Sequence, residues 1–169
     1  IDFFELEGIR YYSNVMATFT PSLRKAIEKA KALDLKTIAP GHGPVYRKNT
    51  QKIIDDYSRF SLYAEGAGKN EVTILWGSMY GMTSKAVDYA EGILQREGVK
   101  YNKLKMPLTG ESEMVAAVFR SAGIIIAAPT YEYKLFPPVA AALNELGRKK
   151  ITGKAVFRFG SYGWSGGAE

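Results

Sequence analysis

The sequence predicts an α/β fold built on a doubly wound parallel sheet, and three observations on residues 71–169 support this prediction. Strand-like apolar runs alternate with helical patterns in the order β-α-β-α-β-α-β, which favours right-handed crossovers between parallel strands. The run Gly123–Ala128 is apolar without interruption, as expected for a central strand covered on both faces. The apolar run Val72–Trp76 leads directly into a glycine-containing turn and then a helix.

The other elements of this part follow in chain order. Apolar residues at helical spacing predict helices over Ser84–Glu97, Glu111–Arg120 and Pro137–Lys149. Shorter apolar runs predict strands over Tyr101–Lys105 and Lys154–Phe159. Four strands connected by three helices are enough for one sheet with helices on both faces.

The beginning of the chain has a less regular pattern. Loose alternation over residues 1–12 predicts one or two edge strands. Thr20-Pro21 marks the start of an amphipathic helix that ends near Asp34, because proline suits the first helical position. A second helix is predicted around residues 53–61, and the glycine-rich residues 66–70 indicate a linker.

Between these two helices lies a short apolar strand, Thr37–Ala39, followed by the turn Pro40–Pro44. The glycine and proline residues of this turn hold His42 in a fixed place. His42 is the only histidine in the chain. A turn histidine that hydrogen-bonds locally is the simplest interpretation from the residues alone.

Composition narrows the class of protein. The 169 residues are 46% hydrophobic, which is enough for a core. The sequence includes no cysteine, which excludes disulfides and thiolate metal sites and favours a reducing, cytoplasmic compartment. Residues 1–70 carry 11 basic and 8 acidic side chains, and residues 71–169 carry 12 basic and 9 acidic side chains. The net charge of +6 is therefore spread over both parts of the chain, and no basic segment for binding nucleic acid stands out. No apolar run reaches the roughly 20 residues that cross a membrane.

The turn Ser78–Thr83 is predicted to bind a phosphate group. The backbone N–H groups and the dipole at a helix start favour an anion, and the hydroxyls of Ser78 and Thr83 add donors. The turn lacks the lysine of a Walker loop and the glycine spacing of a dinucleotide motif, which favours a phosphate monoester. For this segment alone, an ordinary capped strand–helix turn is an equally good interpretation.

Two further loops, Pro129–Phe136 and Gly160–Gly167, follow strands whose carboxyl ends lie at the same edge of the predicted sheet. Aromatic side chains in the three loops predict a slot for a flat ligand, with glycines that allow close backbone approach. These side chains are Tyr80, Tyr131, Tyr133, Tyr162 and Trp164. A phosphate pocket beside an aromatic slot indicates FMN. For Tyr162 and Trp164, packing at the end of the sheet is the alternative role.

Residues 71–169 resemble a flavodoxin-like domain, and the motifs Ser78–Thr83 and Phe159–Ala168 are similar to those of flavodiiron proteins, also called A-type flavoproteins. Simple flavodoxins usually carry T-x-T-G-x-T, so Ser78 and Tyr80 depart from that pattern. The resemblance implies that Ser78, Met79, Tyr80, Gly81, Met82 and Thr83 hold the FMN phosphate. It implies that Pro129, Thr130, Tyr131 and Glu132 border one side of the isoalloxazine and Ser161, Tyr162, Gly163, Trp164 and Gly167 the other.

Residues 38–47 resemble the end of the metallo-β-lactamase-like αββα domain of the same family, which implies that His42 is an iron ligand of a diiron centre. The family's H-x-E-x-D-type motif is not present in this sequence, and one imidazole cannot hold two irons. The implied domains are residues 1–65, the C-terminal part of the diiron domain, then the linker 66–70 and a flavodoxin-like FMN-binding domain, 71–169, that lacks its last elements.

The resemblance implies an oxidoreductase that reduces dioxygen to water or nitric oxide to nitrous oxide. Its FMN would take electrons from a small donor, either a rubredoxin-like protein or a reduced deazaflavin or nicotinamide system, and a head-to-tail homodimer is implied. We expect no nucleic-acid or membrane partner. Two alternatives remain open: a stand-alone flavodoxin-type FMN carrier with residues 1–65 as a structural appendage, and a flavin-dependent quinone reductase with a nicotinamide donor.

Overall fold

Four parallel strands form the main sheet of the computed structural model, which describes residues 3–163 and 166–167. The strands in chain order are β1 (Lys69–Trp76), β2 (Lys100–Lys105), β3 (Ser121–Ala127), β4 (Thr130–Tyr131), β5 (Lys134–Leu135) and β6 (Ala155–Phe159). The main sheet has the order β2-β1-β3-β6, and β4 and β5 form a separate antiparallel hairpin. The predicted parallel sheet is therefore confirmed, with β1 and β3 at its centre.

Helices cover both faces of this sheet. The helices in chain order are α1 (Phe3–Tyr11), α2 (Thr20–Lys31), α3 (Thr50–Tyr63), α4 (Met82–Arg96), α5 (Glu111–Arg120) and α6 (Pro137–Arg148). Trp76 of β1 packs with Val87 of α4 on one face. Leu75, the preceding residue, packs on the other face with Val115 of α5 and Val139 of α6. This alternation of neighbouring side chains confirms the doubly wound arrangement. Across the described residues, the helices are too short or too polar to cross a membrane.

The predicted edge strand over residues 1–12 is wrong, because helix α1 occupies Phe3–Tyr11. A π-helical turn, Tyr12–Met16, and a 3-10 turn, Ala17–Phe19, continue the chain toward α2. Ile9 and Tyr12 are fully buried, and their separation of three residues places them on one side of a helix. The predicted strand Thr37–Ala39 is reduced to a single β-bridge. In this bridge Ile38 and Tyr46 exchange backbone hydrogen bonds of 2.9 and 2.8 Å.

An aromatic cluster joins the first helices to helix α5, which packs on the sheet. It consists of Tyr12, Phe60 and Tyr63 together with Phe119 of α5, and Ile9 and Ala116 pack beside it. The Phe119 ring centroid lies 5.7 Å from that of Tyr12 and 6.1 Å from that of Tyr63. Residues on both sides of the predicted linker therefore share one buried core.

The predicted linker is closely packed. Its last two residues, Lys69 and Asn70, belong to strand β1. Gly66 has a φ of +98°, and a side chain there would meet the backbone oxygen of Gly153 at 2.6 Å. A side chain at Gly68 would meet the backbone of Ser121. These glycines are required by backbone contacts rather than by flexibility, while the boundaries of the two domains stay a prediction.

Lys154 links three elements at this junction. Its Nζ donates hydrogen bonds to the carbonyl oxygens of Tyr63 at 3.3 Å, Ala67 at 3.0 Å and Phe119 at 2.8 Å. Tyr63 and Phe119 lie in the last turns of α3 and α5, where the helix dipole favours a cation. Burial nevertheless lowers the pKa of Lys154 from 10.5 to about 8.

We expect the protein to gain stability between pH 8 and 10.5 relative to a Lys154→Met variant. Lys154 has a pKa of about 8 in the folded state and an ordinary value of 10.5 when exposed. Between these values the unfolded chain binds more protons, so the free energy of unfolding rises with pH. Urea denaturation of both proteins across this range measures the difference, and a difference that is independent of pH would contradict the expectation.

Candidate functional site

Three loops meet at the carboxyl edge of the main sheet and enclose a cleft of about 600 Å³. They are the three loops expected there from the sequence, following β1, β3 and β6. The predicted residues that line the cleft are Ser78, Met79, Tyr80, Met82, Pro129, Thr130, Tyr131, Glu132, Ser161, Tyr162 and Gly163. Tyr133 lines it as well, although the family resemblance did not assign it a role.

The remaining predicted residues have other positions. Gly81 and Thr83 belong to the first loop but are not among the residues that line the cleft, and Thr83 is buried. Gly167 borders a neighbouring groove of about 520 Å³ together with β6. Trp164 lies outside the described residues.

The first loop turns sharply into helix α4. Gly81 has a φ of +85° at the position before the helix, a conformation that favours glycine. Its N–H donates a 3.0 Å hydrogen bond to Ser78 Oγ, which closes the turn. Because the first N–H groups of a helix have no partner within the helix, the loop presents donors and the positive end of a dipole to the cleft.

The hydroxyl of Thr83 connects the first loop to the third. Thr83 Oγ1 lies 2.8 Å from Ser161 Oγ, and Thr83 is only 1% exposed. In a pair of hydroxyls, one donates to the other and the second hydrogen stays free for another acceptor. Since Ser161 lines the cleft, the pair can offer this one donor to a bound group.

The second loop forms the hairpin β4–β5, which the sequence did not predict. The Thr130 N–H donates to the Ser161 carbonyl at 2.8 Å, so the hairpin is tied to the third loop. Its two turn residues, Glu132 and Tyr133, have φ values of 47° and 61°. Turns of this kind usually carry Asn-Gly, and Glu-Tyr gives no such signal in the sequence.

The third loop depends on glycines at points of backbone contact. A side chain at Gly160 would overlap the carbonyl oxygen of Ala128, and a side chain at Gly167 would overlap that of Tyr133. The loop therefore packs tightly against both the end of β3 and the hairpin. Such contacts join the second and third walls of the cleft, and the Thr83–Ser161 pair joins the first wall to the third.

Tyrosine rings surround the cleft without being packed into the core. Tyr80 is 91% exposed, Tyr133 68% and Tyr162 66%. The exposure of Tyr162 argues against a role limited to packing at the end of the sheet. The cleft thus combines a cradle for an anion with rings suited to a flat aromatic group.

His42 lies far from this arrangement in the sequence and belongs to a different surface. Its exposed ring lies 5.8 Å from that of Tyr11, at the border of an apolar groove of about 520 Å³. Within residues 3–163 and 166–167, no group of three or more His, Cys, Asp or Glu side chains is placed to hold a metal ion. These residues alone do not fit a diiron centre.

Comparison with curated proteins identifies relatives along almost the whole chain, while no protein-family model matches it. A nitric oxide reductase of Moorella thermoacetica is 28% identical over 165 residues, which are 96% of this chain and 41% of the relative. An anaerobic nitric oxide reductase flavorubredoxin of Vibrio vulnificus is 32% identical over 95% of this chain and 33% of the relative. The chain therefore spans about two fifths or less of the length of these relatives.

Solved structures show the same correspondence. The flavodiiron protein of Giardia intestinalis superposes with a TM-score of 0.86 at 30% identity, over 95% of this chain and 39% of that one. The rubredoxin oxygen:oxidoreductase of Desulfovibrio gigas superposes with a TM-score of 0.85 at 25% identity, over 95% of this chain and 40% of that one. In sequence and in fold, the chain matches a segment of flavodiiron proteins that makes up about two fifths of their length.

Proposed function

We propose that the cleft at the carboxyl edge of the sheet binds FMN. The observation that carries this proposal is that the start of helix α4 and several exposed tyrosine rings lie at the same cleft of about 600 Å³. An anionic phosphate fits the donors of the first loop, and a flat ring system fits the apolar walls beside it. The residues present therefore fit a phosphorylated flavin.

Each loop has a separate part in this binding. Residues 78–83 hold the phosphate through backbone N–H groups and the hydroxyl of Ser78, with the Thr83–Ser161 hydroxyl pair supplying a further donor. Residues 129–132 border one side of the ring system, and residues 161–163 border the other. When bound, the flavin supplies the redox chemistry, whereas the protein orients it and limits its contact with water.

For the complete protein, we infer an oxidoreductase that reduces nitric oxide or dioxygen at a diiron centre, with this chain as its flavin-binding part. The names of the relatives support this inference, and so does the match of the first 65 residues together with the rest. In this proposal residues 1–65 complete the diiron domain, which contributes His42 as one ligand, residues 66–70 connect the domains and 71–169 bind FMN.

The partners follow from the same proposal. One structural relative is named for rubredoxin, which supports a rubredoxin-like electron donor over a reduced deazaflavin or nicotinamide system. A head-to-tail homodimer and a cytoplasmic location complete the proposal. The stand-alone FMN carrier has less support, because the relatives match residues on both sides of the predicted linker and are named as reductases.

Flavin binding by the purified protein tests the proposal. We expect FMN to bind at one molecule per chain, with quenching of flavin fluorescence, and riboflavin to bind at least about 100-fold more weakly because it lacks the phosphate. FMN that remains fully fluorescent at high protein concentration would refute the cleft assignment. Added NADH or NADPH is expected to leave the bound FMN oxidised, and fast reduction would instead favour the quinone reductase.

A further inference from the structure

The turn of the β4–β5 hairpin is strained. Glu132 and Tyr133 both occupy the left-handed region, with φ values of 47° and 61°. Side chains with a Cβ atom are disfavoured there, and two such residues in succession need support from their surroundings. The hairpin itself has only two residues in each strand, so it supplies little of that support.

The support comes from the third loop. Gly167 lies so close to the hairpin that a Cβ atom at this position would overlap the Tyr133 carbonyl group and lie 2.9 Å from its Cα. The Thr130 N–H bonds to the Ser161 carbonyl at 2.8 Å, and the Phe136 N–H bonds to the Pro129 carbonyl at 3.2 Å. These bonds fix the ends of the hairpin, whereas the Gly167 contact fixes its turn.

The conformation of the Glu132–Tyr133 turn determines the direction in which the Tyr133 side chain leaves the backbone. This side chain lines the cleft and is 68% exposed, so packing within the protein does not hold it. The direction of its Cα–Cβ bond, from which the ring extends, is set by the backbone of the turn. A turn that relaxed out of the left-handed region would rotate the Cα–Cβ bond of Tyr133 and carry the ring away from its present position.

We propose that Gly167 is a positioning residue that holds the Glu132–Tyr133 turn in its left-handed form and thereby directs the Tyr133 ring toward the flat part of the ligand. The role in ligand binding rests on the proposed flavin site. The backbone contact leaves no room for any side chain at position 167. The effect is expected at the ring end of the cleft, because Gly167 contacts the Tyr133 backbone and the backbone N–H groups of the phosphate cradle lie on the first loop.

A Gly167→Ala variant tests the effect on the ligand. We expect it to weaken both FMN and riboflavin binding by about 10-fold, since the ring end is shared by both flavins. A matched Gly147→Ala variant is the control, because a Cβ atom there meets nothing within 4 Å, and it should bind both flavins as the unmodified protein does. Equal affinities for the Gly167→Ala variant and the unmodified protein would overturn the proposal.

A double-variant measurement tests whether Gly167 acts through Tyr133. In a Tyr133→Ala background, the Gly167→Ala substitution is expected to cause no further loss of flavin affinity. A second loss of about 10-fold would overturn the proposal, because Gly167 would then act on the ligand independently of the ring.

A third measurement needs no flavin and separates this inference from the proposed function. With 3-fluorotyrosine incorporated at position 133, the fluorine resonance of the unliganded protein is expected to shift in the Gly167→Ala variant and to stay unchanged in the Gly147→Ala variant. An unchanged resonance in both would overturn the inference. Failure of the unmodified protein to bind FMN would refute the flavin site alone.

Discussion

Replacing Phe119 with alanine is expected to lower the free energy of unfolding by about 3–5 kcal/mol. Phe119 is 1% exposed and belongs to the aromatic cluster, with its ring centroid 5.7 Å from that of Tyr12 and 6.1 Å from that of Tyr63. Its removal leaves a cavity between α5 and the helices before the linker. Urea denaturation followed by far-ultraviolet circular dichroism measures the loss.

The same experiment reports how the two parts of the chain depend on each other. Because the cluster joins α1 and α3 to α5, the unmodified protein is expected to unfold in one transition and the Phe119→Ala variant in two. Phe157→Ala is the matched control, since Phe157 is 62% exposed on β6 and its loss should cost less than about 1 kcal/mol. A loss below that value for Phe119→Ala would contradict a shared core.

The regular part of the fold was accessible from the sequence because each element carries its own pattern. The run Gly123–Ala128 predicted the central strand, and the observed strand β3 covers Ser121–Ala127. The strand prediction for residues 1–12 was wrong for the opposite reason. Their alternation was loose. The cluster that buries Ile9 of helix α1 includes Phe119, which is too distant in sequence for a local pattern to reveal the contact.

The site was predictable to the extent that it follows from topology. The carboxyl ends of parallel strands lie at one edge, so three loops from separate parts of the sequence were expected to converge there. The contacts between the loops were not predictable. Thr83 and Ser161 are 78 positions apart, and the Glu132–Tyr133 turn has residue types that do not mark a turn and a close backbone contact with Gly167 of another loop.

Replacing Thr83 with valine is expected to weaken FMN binding by about 10- to 100-fold, which corresponds to the loss of one hydrogen bond to a charged group. Valine keeps the shape of this buried side chain and removes its hydroxyl, so Ser161 Oγ loses its partner at 2.8 Å. The free hydrogen of the pair then has no fixed direction. Fluorescence titration with FMN measures the change.

The comparison with riboflavin locates this effect within the cleft. Riboflavin lacks the phosphate, so its affinity should be the same for the Thr83→Val variant and the unmodified protein, whereas a change at the ring end would weaken both flavins. Ser161→Ala should weaken FMN binding to a similar extent, and the double variant should add little, because the two hydroxyls act as one donor. Thr152→Val, at an exposed position, is the control. Independent, additive losses for Thr83 and Ser161 would mean that each hydroxyl binds the ligand separately, contrary to the 2.8 Å pair.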